Sequence, residues 1–315
     1  MKKSKYLKLD RVEFITTYHC TGRCKHCSIG SRLNQPGPHH VPVEKSIEAV
    51  RWLKANYPIT SLMTFGGEPL LYPEVVCALH STARDCGIPD RSVITNGYFS
   101  KNPERIRQTA QNLLDAGVND ILLSVDAFHQ ETIPLEPVLI FAQYVAQTAP
   151  GVLKLSPAWV VNAAHQDVWN ERTRDILAQF AELSLPISQG NDIFMAENAI
   201  KNLSQFYPAP CLDLSETCGS LPYTEPLEQI RSISIEPDGS VKACALSIGN
   251  LLEDSMDTIV SGYDPYADER SRALLTGGAR TLLELAQKKQ LPVDLTKCWS
   301  VCDLCAQINQ AYHKS

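Results

Sequence analysis

Along the first two hundred residues the apolar positions switch repeatedly between two spacings. Val12 to Thr17 is a short extended run. Ile47, Val50, Leu53 and Tyr57 then recur on one helix face until Pro58 stops them, and Ile59 to Phe65 is extended again. A helix over about Pro73 to Cys86 ends at Gly87 and leads to a strand, Arg91 to Thr95. Asn102 with Pro103 behind it is a helix start; Ile106, Ala110, Leu113 and Leu114 mark the buried face, Gly117 stops it, and Asp120 to Val125 is the fourth strand. A helix from Glu136 to Thr148, a strand from Val152 to Val161, a helix near Trp169 to Leu183 and a strand from Leu185 to Gln189 continue the rhythm. The pattern therefore predicts six strands with five intervening helices.

Near-continuously apolar strands belong to a parallel sheet covered on both faces, so the expected class is α/β. Right-handed crossovers let such a sheet curl toward a barrel whose strand C-termini form one mouth, and active sites of these sheets lie in the loops at that mouth. Four segments fall there. Cys20 to Cys27 follows strand one, Gly66-Gly67-Glu68-Pro69 follows strand two, Thr95-Asn96-Gly97 follows strand three, and Ser124-Val125-Asp126 closes strand four.

From about position 206 the rhythm breaks. Pro208, Pro210, Pro222 and Pro226 punctuate an irregular segment holding Cys211 and Cys218. Ile230 to Glu236 then alternates at period two, Pro237-Asp238-Gly239 turns, and Ser240 to Ala245 returns with Cys244 on it, a β-hairpin. A helical tail carries Cys298, Cys302 and Cys305. Two domains are expected, 1–205 and 206–315.

A length of 315 residues permits a sizeable core, and 44% hydrophobic with 20% charged residues excludes a disordered or fibrous chain. The formal charge of −6, with no basic run after Lys2-Lys3-Ser4-Lys5, argues against a nucleic-acid partner. No apolar run reaches membrane-spanning length and the N-terminus lacks a signal-peptide core, so a cytoplasmic protein with no membrane association is expected. That compartment keeps thiols reduced, and eleven cysteines then ask for a metal. Cys86 shares a helix face with Val76, Leu79 and Ala83 and reads as core filling, as does Cys77.

In Tyr18-His19-Cys20-Thr21-Gly22-Arg23-Cys24-Lys25-His26-Cys27 three thiols share one tight loop. Four cysteines close a zinc site or an ordinary cubane, whereas three hold a [4Fe–4S] cluster and leave one iron open to a reactant. A zinc knuckle completed by His19 or His26, or three unrelated thiols, are the alternatives. The loop from Ile29 to His40 reads as a crossing or lid segment, with His39-His40 as a solvated pair.

The Cys-x3-Cys-x2-Cys spacing, with the aromatic ring of His26 just before the third cysteine, resembles the signature of the radical SAM superfamily. The resemblance covers nearly the whole chain and implies a partial (β/α)6 TIM-type barrel. It implies that Cys20, Cys24 and Cys27 ligate a [4Fe–4S] cluster whose open iron chelates S-adenosylmethionine, supplied with electrons by a reductase such as flavodoxin or ferredoxin. Gly66-Gly67-Glu68-Pro69 matches the segment where two glycines let the backbone approach the cofactor and polar groups receive the methionyl ammonium, Glu68 through a charge-assisted bond. Thr95, Asn96, Ser124 and Asp126 match positions lining the cofactor pocket, each equally readable as a turn or cap residue. No general acid or base is assigned; His129 and Glu131 would reach toward the mouth, and helix capping suits them as well.

Downstream, a cysteine, a hairpin with Gly239-x4-Cys244 and a closing cysteine pair resemble the Twitch and SPASM domains of this superfamily, which hold auxiliary clusters. The chain departs from that pattern, because Cys218 lies farther upstream of the hairpin than usual and Cys298-x3-Cys302-x2-Cys305 ends without a further cysteine. The preferred reading is one auxiliary [4Fe–4S] cluster on Cys218, Cys244, Cys302 and Cys305, with Cys211 or Cys298 as substitutes. A second open cluster on Cys298, Cys302 and Cys305, or a zinc ribbon, are the rivals. The resemblance implies an oxidoreductase or maturase acting on a peptide or small molecule. A non-catalytic iron–sulfur or zinc scaffold that binds a partner is the alternative.

Overall fold

The computed structural model describes residues 4–188, 191–193, 195–219 and 224–312, and these fall into two units. One comprises Val12–Tyr207 with Ile235–Gly239; the other comprises Met1–Arg11, Pro208–Ser234 and Ser240–Ser315.

The first unit alternates strands and helices: β1 (Leu7–Thr17, from Val12 onward), α1 (Val43–Asn56), β2 (Ser61–Gly66), α2 (Pro73–Asp85), β3 (Asp90–Thr95), α3 (Pro103–Asp115), β4 (Asp120–Leu123), α4 (Leu135–Thr148) and β5 (Leu153–Leu155). The local chemistry that sets these limits is visible at α3. Asn102 Oδ1 accepts from the backbone N–H groups of Glu104 and Arg105, Pro103 fills the first helical position where no donor is needed, and Gly117 takes the left-handed turn after the end. Its apolar face, Ile106, Ala110 and Leu113, is fully buried in a core shared with α4 and β3–β5.

The strands lie in the order β1-β2-β3-β4-β5, and β2, β3, β4 and β5 pair parallel with their neighbours, for example Thr95 opposite Leu123 and Leu123 opposite Leu155. The sheet is not closed. This is the α/β partial barrel that the sequence predicts, with corrections at its far edge. Val152 to Val161 is not one strand. Pro157 has no N–H to continue the ladder, Ala158 N turns to the Asp126 side chain instead, and the chain resumes as β6 (Ala158–Trp159), which pairs with β7 (Asn191–Asp192) in a separate two-stranded sheet. The expected strand from Leu185 to Gln189 is reduced to a single parallel bridge between Leu155 and Ile187, and Gln189 lies outside the described residues. The helix expected to Leu183 ends earlier, as α5 (Val168–Ala178) capped by Asp167, and a short 3-10 turn at Ala181–Leu183 follows. A further helix, α6 (Asn198–Leu203), was not anticipated.

In the second unit the first part of β1 lies beside β8 (Ile230–Ile235), followed by β9 (Ser240–Ala243) and β10 (Leu246–Asn250), the last two antiparallel with a bulge between Ser247 and Gly249. Three helices complete it: α7 (Met256–Ser261), α8 (Glu269–Lys288), which breaks at Gly278 where φ is +66°, and α9 (Val301–Tyr312). The α8–α9 core buries Leu274, Leu282, Val301, Leu304 and Ile308. Cys302 and Cys305 lie on α9, whereas Cys298, expected on the same helix, precedes it at the end of the turn Leu295–Lys297. Pro222 lies outside the described residues.

Candidate active site

The loop that follows β1 is tied to its neighbours at several points. Cys20 N donates to Asn34 Oδ1 at 3.0 Å, Thr21 Oγ1 donates to the carbonyl of Tyr98 at 2.7 Å, and Arg23 N donates to Thr132 Oγ1 at 3.1 Å. Cys27 N closes a turn on the carbonyl of Cys24 at 3.2 Å. Gly22 lies between two of the thiols: a Cβ there would stand 3.4 Å from Cys24 Sγ, 3.7 Å from Cys20 Sγ and 3.2 Å from Ile133.

The second loop lies directly on the first. Gly67 N donates to the carbonyl of Thr17 at 2.7 Å and Glu68 N to the carbonyl of His19 at 2.8 Å. Any side chain at Gly67 would meet the His19 carbonyl oxygen at 2.1 Å, and at Gly66, where φ is +133°, the Thr17 carbonyl oxygen at 2.6 Å. The two glycines are thus required by backbone-on-backbone contact.

A cavity of about 190 Å³ opens at this end of the sheet, and Cys20, Cys24, Cys27, Gly66, Gly67, Thr95, Asn96, Ser124 and His129 all line it. Residues from the ends of four successive strands thereby meet, as the sequence pattern implies. Asn96 Nδ2 donates toward Cys20 Sγ at 3.6 Å and toward Thr21 Oγ1 at 3.3 Å. Burial, and then the nearby Glu68 carboxylate, push the Cys20 thiol up to about 12. A metal centre must displace that proton on binding.

Glu68, Pro69 and Asp126 are placed differently from the lining residues. Glu68 is fully buried with both oxygens engaged: Oε1 accepts from Leu70 N at 2.9 Å and Thr95 Oγ1 at 2.7 Å, and Oε2 accepts from Asn96 N at 2.8 Å. Its carboxylate clamps the loop after β2 to the loop after β3 instead of facing the cavity. Burial raises it to about 7 despite those donors. Pro69 is buried at the start of the 3-10 turn Pro69–Leu71. Asp126, also fully buried, accepts from the N–H groups of Phe128, His129 and Ala158 at 2.9, 3.0 and 2.9 Å and pairs with His129 Nδ1 at 2.8 Å. Burial alone would raise Asp126, but His129 holds it well below the carboxylate range. For His129 burial would lower the imidazole, yet Asp126, and next the Cys24 thiol, hold it well above its ordinary value. Glu131 pairs instead with Lys25 at 2.8 Å.

His26 is buried, with its ring 5.2 Å from Phe128 and 5.1 Å from His129, and burial pushes it down to about 4. His19 bonds Tyr72 OH at 2.8 Å and approaches His39, so the two histidines of the zinc alternative are both engaged with rings. Among the described residues no three His, Cys, Asp or Glu side chains are drawn together around a single-ion centre. Cysteines on a cubane each bind a different iron. Three thiols on one loop, facing a cavity floored by two glycines, are a fitting donor set for such a cluster.

Sequence reasoning missed Gly22, whose role appears only once the two sulfurs flank it, and Ser156, which lines the same cavity. The apolar stretch around Ser156 read as continuous strand and hid its position at a strand end. A larger groove of about 420 Å³ beside Trp159, Phe180 and Ile187 contains no cysteine.

In the second unit the six thiols separate. Burial, and then Cys244 and Cys218, push both Cys302 and Cys305 up to about 12. Cys244, at the exposed turn after β9 with φ of +55°, is raised by partial burial of its sulfur, and Cys218 acts on it. These four thiols therefore oppose one another's ionisation. Cys211 is exposed, and Cys298 is fully buried, its sulfur accepting from Gln307 Nε2 at 3.2 Å and donating to the Asp294 carbonyl at 3.6 Å.

A parallel partial barrel with three thiols at its mouth defines a class of cluster-binding (β/α) proteins. Residues 14–147 match the radical SAM superfamily, so this segment of the chain is similar to members of that superfamily. Curated relatives include the GTP 3',8-cyclase of Thermodesulfovibrio yellowstonii, 26% identical over 132 residues (41% of this chain, 39% of that one), and a probable GTP 3',8-cyclase of Saccharolobus islandicus, 25% identical over 190 residues (60% and 57%). The chain thus spans less than two thirds of the length of these relatives. A solved structure of anSMEcpe with bound AdoMet superimposes with a TM-score of 0.51 at 14% identity, covering 98% of this chain and 91% of that one, which shows the shared fold. No helix among the described residues is long and apolar enough to cross a membrane.

Proposed function

We propose that this chain is an S-adenosylmethionine-dependent radical enzyme that oxidatively modifies a peptide or small molecule. The observation that carries the reading is the convergence of Cys20, Cys24 and Cys27 with Gly66-Gly67, Thr95-Asn96 and Ser124 on one cavity at the strand ends. A [4Fe–4S] cluster held by Cys20, Cys24 and Cys27 would supply the one electron needed for reductive cleavage of S-adenosylmethionine and so for hydrogen abstraction from the substrate, and an auxiliary cluster would supply the acceptor for the electron released when the substrate is oxidised.

The protein's own part is positioning. Gly66 and Gly67 bring polar backbone to the cavity wall, and Thr95, Asn96 and Ser124 offer hydrogen-bonding groups for the amino-acid and ribose ends of the cofactor. Asn96 supports the Cys20 sulfur. Glu68 and Asp126 act from behind that wall, each holding two loops together, and His129 presents a charged imidazole fixed by Asp126. Cys218, Cys244, Cys302 and Cys305 would hold the auxiliary cluster; Cys298 is satisfied by Gln307 inside the core, and Cys211 is exposed and left outside the set. A one-electron donor such as flavodoxin or ferredoxin serves as reductant.

Anaerobically reconstituted protein given dithionite and S-adenosylmethionine is expected to release 5′-deoxyadenosine, and Cys20→Ala, Cys24→Ala or Cys27→Ala to abolish release. A chain that binds iron but yields no 5′-deoxyadenosine would be the non-catalytic scaffold, and retained cleavage in any one variant would remove the triad from the reaction.

A further inference from the structure

Three ring donors from distant parts of the chain meet at one corner of the barrel unit. His19 Nδ1 lies 2.8 Å from the Tyr72 hydroxyl oxygen, that oxygen lies 3.3 Å from His39 Nδ1, and the two imidazole nitrogens are 3.5 Å apart. His19 belongs to the loop after β1, His39 to the loop that follows the cysteines, and Tyr72 stands at the start of α2. The backbone fixes each of them. His19 N donates to Thr17 Oγ1 at 2.9 Å and the His19 carbonyl accepts from Glu68 N at 2.8 Å. The His39 carbonyl accepts from Thr17 Oγ1 at 2.5 Å, and Tyr72 N donates to the carbonyl of Pro69 at 3.0 Å.

The spacing decides between two readings. A hydrogen bond to the phenol accounts for the 2.8 Å edge, but 3.3 Å is long for a hydroxyl bond, and nitrogens 3.5 Å apart exceed the usual range. A tetrahedral ion with its donors at about 2.0–2.1 Å sets neighbouring donors about 3.3–3.4 Å apart. Two of the three edges match that figure, and the third is shorter. His39 is exposed, so an ion can enter from solvent and water can complete its coordination.

Two imidazoles and one oxygen suit a late first-row divalent ion such as Zn²⁺, Cu²⁺ or Ni²⁺. Burial, and then Glu74, raise the Tyr72 phenol, and an ion bound there displaces its proton. With a phenol as third donor, the corner differs from a centre of three His, Cys, Asp or Glu side chains, of which the described residues hold none. We infer that His19, His39 and Tyr72 form a binding site for a late first-row divalent metal ion, one that uses none of the thiols. The ion fastens the loop after the cysteines to the end of β1 and the start of α2. That loop supplies Ile29 and Leu33 to the wall of the barrel cavity, so an ion at the corner steadies part of the wall.

The test is calorimetric titration of Zn²⁺ into the chain after iron–sulfur reconstitution, with iron counted before and after. Wild type is expected to take up a single zinc at this site and to keep its iron. His39→Gln changes an exposed residue and Tyr72→Phe removes one oxygen. Each is expected to weaken zinc binding at least about tenfold, since loss of even an outer partner of a metal ligand costs about 10–100-fold. His165→Gln, on another loop, should leave binding unchanged. The thiols are the same in all four proteins, so the difference between them reports the corner whether or not the clusters are loaded. Equal zinc affinity in wild type, His39→Gln and Tyr72→Phe, or zinc uptake matched by loss of iron, overturns the site.

Discussion

At His80 the chain buries an imidazole completely, with Nε2 2.9 Å from Thr64 Oγ1, and burial together with the nearby Arg91 pushes it down to about 3. The unfolded chain binds this proton near 6.5, so between about 6.5 and about 3 the unfolded state holds more protons and stability rises with pH. The contribution is complete above about 6.5 and is lost as the pH falls toward 3, at up to about 1.4 kcal/mol per pH unit. Denaturation of wild type and His80→Gln at pH 7.5 and pH 5 should show the wild type losing about 2 kcal/mol more than the variant; equal losses would mean that His80 is not buried neutral. Glu68 poses a different question, because the sequence motif places it beside the cofactor while its side chain serves the scaffold. Glu68→Gln must set an amide N–H₂ against Asn96 N, Leu70 N or Thr95 Oγ1, so a loss of about 1–3 kcal/mol in unfolding free energy is expected, measurable without cofactor. An unchanged unfolding midpoint would return Glu68 to the cavity wall. The positions of Glu68 and Asp126 were legible in the sequence, but their side-chain destinations were not, since their partners Thr95, Asn96 and Ala158 lie 27, 28 and 32 residues away.

Among the elements, β1 to β4 and α1 to α4 were readable because each carries a single period bounded by Gly, Pro or Asn, as at Asn102-Pro103 and Gly117. The edge beyond them was not, because an apolar run says nothing of where its hydrogen bonds go. Val152 to Val161 is mostly apolar, broken only by Lys154 and Ser156, yet Pro157 withholds a donor and Asp126 captures Ala158, so the ladder ends at Leu155. In the second unit Gly277-Gly278 interrupts the helical period of α8, and there the helix breaks, with Gly278 at φ +66°, before resuming. The glycines after β2 were legible as a motif, and the structure adds why they are needed. Gly67→Ala would drive a methyl group to 2.1 Å from the His19 carbonyl oxygen, and since that atom is backbone, the whole cysteine loop must move. The expected result is a folded protein with far-ultraviolet circular dichroism like wild type but at most half of the barrel-cluster iron after reconstitution; full iron loading would show that the loop accommodates the methyl without displacing its thiols.

For the whole molecule the open question is how many clusters one chain carries, and metal stoichiometry answers it before any substrate is known. If Cys218, Cys244, Cys302 and Cys305 ligate a cubane, wild type should hold about eight irons and the Cys302→Ala, Cys305→Ala double variant about four, since each cubane has four. The barrel triad is untouched by those changes, so cleavage of S-adenosylmethionine should persist in the double variant, while conversion of a substrate to its oxidised product fails for lack of an acceptor. Structural zinc on the same thiols predicts another outcome. Iron would stay near four in both proteins, zinc would fall from about one to none, and the second unit would unfold, because structural zinc supplies folding free energy directly. The exposed Cys211 and the Gln307-bonded Cys298 provide an internal control, since changing either to Ala should leave the iron count at about eight, with Cys298→Ala costing stability through the cavity it leaves in the α8–α9 core. A fall to four on Cys298→Ala with the fold intact would instead place Cys298 in the cluster and displace one of the four thiols assigned to it.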